Sequence, residues 1–188
     1  MKRHERVKMI VLTALFAAVT AILAQIEIPL PYVPISGQTL AVGITATILG
    51  SWYGALSMIL YMALGTVGLP VFAGMSSGIH VLVGPTGGYI IGFIFAAFII
   101  GFILERARFN YFWAIIANVV GMVVTLVFGT VQLKYAMALS WGQAVTAGVY
   151  PFILVGLIKS VLAAWIGILV HRRLVTARLL FERKSKAA

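Results

Sequence analysis

Between Glu27 and Glu105 the chain carries no aspartate, glutamate, lysine or arginine. A stretch that long without charge cannot present a wetted surface, so water is not its solvent. The remaining composition points the same way: of 188 residues, 62% are hydrophobic and 10% charged. A soluble domain of this size could not cover its core with so few charges, and the chain reads as an all-α integral membrane protein. Cysteine is absent, which removes disulfides and thiolate metal sites. The acids are Glu5, Glu27, Glu105 and Glu182, against a net charge of +10. That surplus could suggest nucleic acid. The basic residues flank the apolar runs, however, where they orient a membrane protein and meet the anionic lipid bilayer, so no nucleic-acid partner is expected.

A spanning helix needs about 20 mostly apolar residues. The first is expected over 7–26. Its basic leader imitates a signal peptide, but the apolar run is long enough to span and lacks a small-residue cleavage triplet, so it reads as a retained helix. Pro29, Pro31 and Pro34 make residues 28–36 an extended outer loop. Residues 38–69 are too long for one span, and Gly50, Ser51 and Gly54 mark a turn between spans over 38–50 and 54–68. Further spans are expected over 86–104, 111–132 and 149–170. Six spans with both termini cytoplasmic put Lys2, Arg3, Arg6, Lys8, Arg106, Arg108, Arg172, Arg173, Arg178, Arg183, Lys184 and Lys186 inside. Of the 14 basic residues, that leaves only Lys134 and Lys159 elsewhere, as the positive-inside bias requires. No internal repeat or linker divides the chain, so residues 1–188 read as one transmembrane domain, with both ends on the inner face of a plasma membrane.

The segment GLPVFAGMSSGIHVLVGPTGGY, residues 68–89, breaks this pattern with six glycines and two prolines. Irregular backbone survives in a bilayer only where protein or a watery cavity satisfies it. A plain connector would be short and polar. This one carries Leu69, Val71, Phe72, Ile79, Val81 and Leu82, and is expected to fold back as a lid over a cavity that opens outward. In GPTGG, Gly84 can cap a helix that begins at Pro85. Thr86, Gly87 and Gly88 would then offer free backbone donors to an anionic or carbonyl group. Alternatively, these glycines only permit tight helix packing.

Lys159 is the sharpest single residue. It lies eight residues beyond Pro151 in the last span, about 12 Å along the helix. An intramembrane lysine costs roughly 2.5–3.5 kcal/mol to insert and marks a functional site by default; the bland alternative is a stem that snorkels outward. No acid lies in the outer half of any span except Glu27, so a ligand carboxylate is the natural missing partner. Gln38 and Ser36 either bond a ligand or cap the second helix. Asn118 and Thr125 read as interhelical glue. His80 is either a loop hydrogen-bonder or a ligand contact, Lys134 an interfacial anchor, and Glu105 part of a solvated inner loop. In the first span Ala14 and Ala18, and Ala17 and Ala21, are four apart and form a smooth face for another helix, within or outside the bundle. Nucleotide-binding loops, metal-ligand clusters and acid–base pairs are absent, so neither an enzyme nor a bound cofactor or metal is expected.

VPISGQTLAV (33–42), YMALGTVGLPVFAG (61–74), GPTGGYIIGF (84–93) and the pattern Pro151, Phe152 and Lys159 together resemble the BioY family. These proteins are the biotin-specific substrate-binding S-components of energy-coupling factor (ECF) transporters, and the resemblance covers nearly the whole chain. It implies a six-helix S-component bundle that binds biotin from outside under its first, third and fifth loops. It also implies an ECF scaffold subunit docked on the alanine face, coupled to two ATPase subunits, and release inward by tipping. On this resemblance Lys159 meets the carboxylate, and Thr86, Gly87 and Gly88 supply donors. Phe72 and Tyr89 form walls, and Gln38, Ser76, Ser77 and His80 are candidates for the ureido end. The chain departs from the family at Gly156, where an aspartate usually stands three residues before the lysine. Another small vitamin acid, such as lipoate, and a structural subunit without ligand are the alternatives.

Overall fold

A computed structural model describes residues 3–180. Lys2, Arg183, Lys184 and Lys186 lie outside the described residues. The elements run α1 (Arg3–Ala24), β1 (Glu27–Ile28), β2 (Ile35–Ser36), α2 (Gln38–Leu49), α3 (Ser51–Thr66), a 3-10 turn (Ala73–Met75), α4 (Ile79–Val83), α5 (Gly87–Arg106), α6 (Tyr111–Ala136), α7 (Trp141–Gly148) and α8 (Tyr150–Thr176). Among the described residues every regular element but β1 and β2 is helical. These pair antiparallel, Glu27 with Ser36 and Ile28 with Ile35, around the three prolines. The outer loop expected over 28–36 is therefore a clasped hairpin.

Among the described residues four segments are long and apolar enough to cross a membrane: Glu5–Ala24, Gly87–Arg106, Tyr111–Ala136 and Trp141–Thr176. Valine, isoleucine and leucine side chains remain exposed along α1 and α8, among them Ile10, Val11, Leu15, Leu154 and Ile158. Such faces fit hydrocarbon rather than water, and the chain is a multi-pass membrane protein. The uncharged run 38–69 divides where the sequence suggests, at Gly50, whose φ of +87° and ψ of −172° turn α2 into α3. A side chain is disfavoured there. The resulting helices are short, with 12 residues in α2 and 16 in α3, so length alone identifies four spans and not six.

α5 packs along α6, α2 against α8, and α3 against α5. The first pair approaches closely because Gly88 lies against the Phe128 carbonyl and Gly129, and Gly129 lies under the Tyr89 ring. Glu105 is exposed, as expected, but lies in the last turn of α5 rather than in a loop. Its carboxylate accepts from the Ser51 backbone N–H (2.7 Å) and hydroxyl (2.8 Å), capping the free start of α3. At the other end, the Lys134 ammonium stands 4.4 Å from the Tyr135 ring centre and 5.1 Å from that of Trp141, an aromatic seat suited to an interfacial anchor. No span was expected to begin at Trp141. The helix α7 forms there on a capping box, with Ser140 accepting from the Gln143 N–H and Gln143 reaching back to the Ser140 N–H.

Candidate functional site

The helices enclose a cavity of about 160 Å³, room for on the order of ten water-sized spheres. β2 and the start of α2 supply Ser36, Gln38 and Thr39; the segment between α3 and α5 supplies Phe72, Ser76 and Val81. Thr86 and Tyr89 come from the α5 entrance, Asn118 and Thr125 from α6, and Lys159 from α8. Ser160 of α8 also lines it, its hydroxyl donating to the Gly156 carbonyl (2.8 Å), and the rest is mainly apolar, including Val42, Phe93, Phe152 and Ala163. A few convergent polar groups on an apolar wall are the usual make-up of a small-molecule site. Tyr89 is held as a wall by its hydroxyl, which donates to the Gly148 carbonyl at the end of α7 (2.8 Å).

Lys159 is half-buried. Its ammonium donates to the Ser36 carbonyl (2.7 Å) and to the Thr39 hydroxyl (3.3 Å). An ammonium has three N–H bonds, so one remains, at a group lining the cavity. No carboxylate among the described residues pairs with it. The amine is held at the cavity wall by neutral acceptors.

From Lys159 the hydrogen bonds continue to the lid. The Ser36 hydroxyl donates to Gln38 Oε1 (2.6 Å), Gln38 Nε2 to the Tyr61 hydroxyl (2.6 Å), and Tyr61 to the Val71 carbonyl (3.0 Å). Two glutamines fasten the lid from outside the cavity lining. Gln25, just past α1, donates to the Phe72 carbonyl (3.1 Å) and, at greater length, to that of Val71 (3.4 Å), and accepts from the Met75 N–H (2.9 Å). Gln132 on α6 donates to the carbonyls of Leu82 (2.5 Å) and Gly84 (2.9 Å). Between these fastenings the Phe72 ring is 1% exposed, edge-on to Tyr61 with centroids 5.5 Å apart. It sits on Gly65, where a Cβ would overlap the ring. Several backbone groups of this irregular segment are thus bonded by side chains, which is what irregular backbone in a membrane protein needs.

The structure brings Lys159, Ser36, Gln38, Phe72, Thr86 and Tyr89 to one cavity, together with Ser76. It separates four other candidates from it. α5 begins at Gly87 rather than Pro85; Thr86 is its N-cap and makes no side-chain capping bond. Gly87 faces the Leu82 carbonyl and Gly88 faces α6, so both are packing glycines. Ser77 and His80 lie outside the lining, His80 on the exposed side of α4. On α1, Ala14 and Ala18 stay exposed, whereas Ala17 is fully buried and Ala21 packs against the core. The two pairs are three residues out of step, about 60° apart around the helix, so only one of them can face outward. Sequence reasoning missed Thr39 and treated Asn118 and Thr125 as glue. Asn118 does bridge to Thr47 (3.1 Å), but it also lines the cavity. A polar residue in mid-span was the available signal. Among the described residues no group of histidines and acids is arranged to hold a metal ion.

Residues 1–176 match the model of the BioY family. The chain is 40% identical over 163 residues to the biotin transporter BioY2 of Lactococcus lactis subsp. cremoris, covering 87% of this chain and 90% of that protein. It is 37% identical over 161 residues to the biotin transporter BioY of Thermotoga maritima, covering 86% and 94% respectively. Its fold is similar to the crystal structure of an S-component for biotin from an ECF-type ABC transporter. The TM-score is 0.83 at 28% identity, covering 92% of this chain and 95% of that one.

Proposed function

The chain belongs to the BioY family, and from that premise we propose that it captures biotin from outside the cell as the S-component of an ECF-type transporter. The observation that carries the reading is the Lys159 ammonium, half-buried beside a lidded cavity with one N–H unspent and no acid beside it among the described residues. The biotin carboxylate completes that shell with a charge-assisted bond. The apolar wall of Phe72, Tyr89, Phe93 and Phe152 suits the sulfur-containing bicycle and the valerate chain. Biotin enters while the segment around Phe72 is raised and is held when it closes.

In this reading residues 1–188 act as one domain that spans a plasma membrane six times, α2 and α3 crossing as short helices shielded by their neighbours, with both termini cytoplasmic. The exposed Ala14 and Ala18 offer a close-approach surface to a scaffold subunit, which couples to two ATPase subunits. Neither class of partner touches the cavity, so binding and uptake are separable. Calorimetry of the purified full chain against biotin, desthiobiotin, lipoate, riboflavin and thiamine tests the substrate. Biotin should bind most tightly. Preference for lipoate would reassign the substrate, and silence toward all five would overturn a ligand-binding role.

A further inference from the structure

Resting on that reading of the cavity, the second pole of the site can be located. Asn118 on α6 is 3% exposed. Its amide nitrogen donates to the Ala114 carbonyl (2.8 Å) and to the Thr47 hydroxyl (3.1 Å). A backbone carbonyl only accepts, so the atom facing Ala114 must be the one bearing hydrogens, and the amide orientation follows. Oδ1 is then the opposite edge. No donor among the described residues meets it. It abuts Gly43, where a Cβ would overlap it. Gly43 and Asn118 line the cavity, whereas Thr47 and Ala114 do not. The amide thus spends its donors on the bundle and sets its acceptor edge against Gly43, at the cavity wall. An acceptor on a cavity-lining residue whose printed partners all meet its other edge can take a donor from a guest.

The position of this acceptor follows from α2. Thr39, Gly43 and Thr47 stand one turn apart on that helix; Lys159 bonds Thr39, and Asn118 abuts Gly43 and bonds Thr47. The free oxygen therefore lies about 6 Å further along α2 than the ammonium's foothold. One turn along α6, Met122 lies against Gly156, where a Cβ would overlap its sulfur. That part of the lining presents a thioether and no charge.

We propose that Asn118 Oδ1 is the acceptor for a ligand N–H at the inner end of the cavity, opposite the Lys159 ammonium. The site then selects a guest with an anionic group at one end and a neutral N–H donor of the urea or amide class at the other.

The test measures binding of biotin and of its isosteric cyclic carbamates, in which one or the other ureido N–H is replaced by oxygen. The full chain is used as wild type, Asn118→Leu and Thr47→Val. Wild type should bind biotin at least about tenfold more tightly than one of the two carbamates, the loss expected when a buried acceptor goes unmet. Asn118→Leu should lose about tenfold for biotin and little for that carbamate. Thr47→Val removes the same interhelical bond but leaves Oδ1 in place, and should keep the preference. Equal binding of biotin and both carbamates by the wild type would overturn the proposal even if Asn118→Leu failed to fold. So would an equal loss for all ligands in Asn118→Leu. Failure of the wild type to bind biotin at all would instead overturn the substrate reading, and this one with it.

Discussion

Gln25 offers a direct test of the lid because it touches the lid and not the cavity. Its side chain makes two well-formed bonds to the segment, to the Phe72 carbonyl (3.1 Å) and from the Met75 N–H (2.9 Å), and a longer one to Val71 (3.4 Å). At 3.4 Å the last adds little. Each good bond contributes about 1 kcal/mol net, so Gln25→Ala should favour the raised lid by about 2 kcal/mol. The remaining bond of Gln25, to the Ala21 carbonyl of its own helix, holds nothing across the opening. The ligand's own contacts are unchanged. The predicted signature is therefore kinetic: dissociation accelerated by about 30-fold, with association no slower. Labelled biotin bound to the purified protein and chased with unlabelled biotin gives the rate, and a thermal melt of the ligand-free protein tests for general damage. A dissociation rate within threefold of wild type would refute the idea that this clamp holds the lid. A large drop in melting temperature would mean that Gln25 supports the bundle as a whole.

Lys159→Met keeps the length of the side chain and removes its charge; biotin affinity should fall at least about tenfold in calorimetry, and unchanged affinity would remove the amine from the site. Leucine at both Ala14 and Ala18 should leave biotin binding intact and abolish uptake in cells that carry the full transporter, because the bulk falls on an exposed face of α1; normal uptake would place the scaffold elsewhere. Gly65→Ala should drive the Phe72 ring from its seat at about 1–3 kcal/mol, which faster biotin dissociation would report; wild-type kinetics would mean that Phe72 does not hold the lid shut.

The spans that length and hydropathy define were legible. α1, α5, α6 and the body of α8 lie close to the expected stretches, since the bilayer sets both their length and their lack of charge. The turn at Gly50 was legible because a backbone with φ of +87° favours glycine. α7 was not, because eight mixed residues carry no spanning signal and its capping box counts only once Tyr89 needs the Gly148 carbonyl. Within the site, Lys159 stood out because an intramembrane charge is rare. Asn118 did not, since a mid-span amide serves equally as glue or as a ligand contact; here it bridges to Thr47 and also lines the cavity. Gly87 and Gly88 show the converse: a motif with the look of a donor nest is occupied by the Leu82 carbonyl and by α6.

By itself the amino-acid order determined that this protein lives in lipid, that glycine and proline interrupt it over 68–89, and that an intramembrane amine stands out in its last span. It could do so because solvent, backbone conformation and charge are properties of short stretches. Which side chains share the hollow was decided only by the tertiary structure. The meeting of Thr39 with Lys159, of Gly43 with Asn118 and of Gln25 with the lid depends on helix rotation, and that is set when distant faces pack.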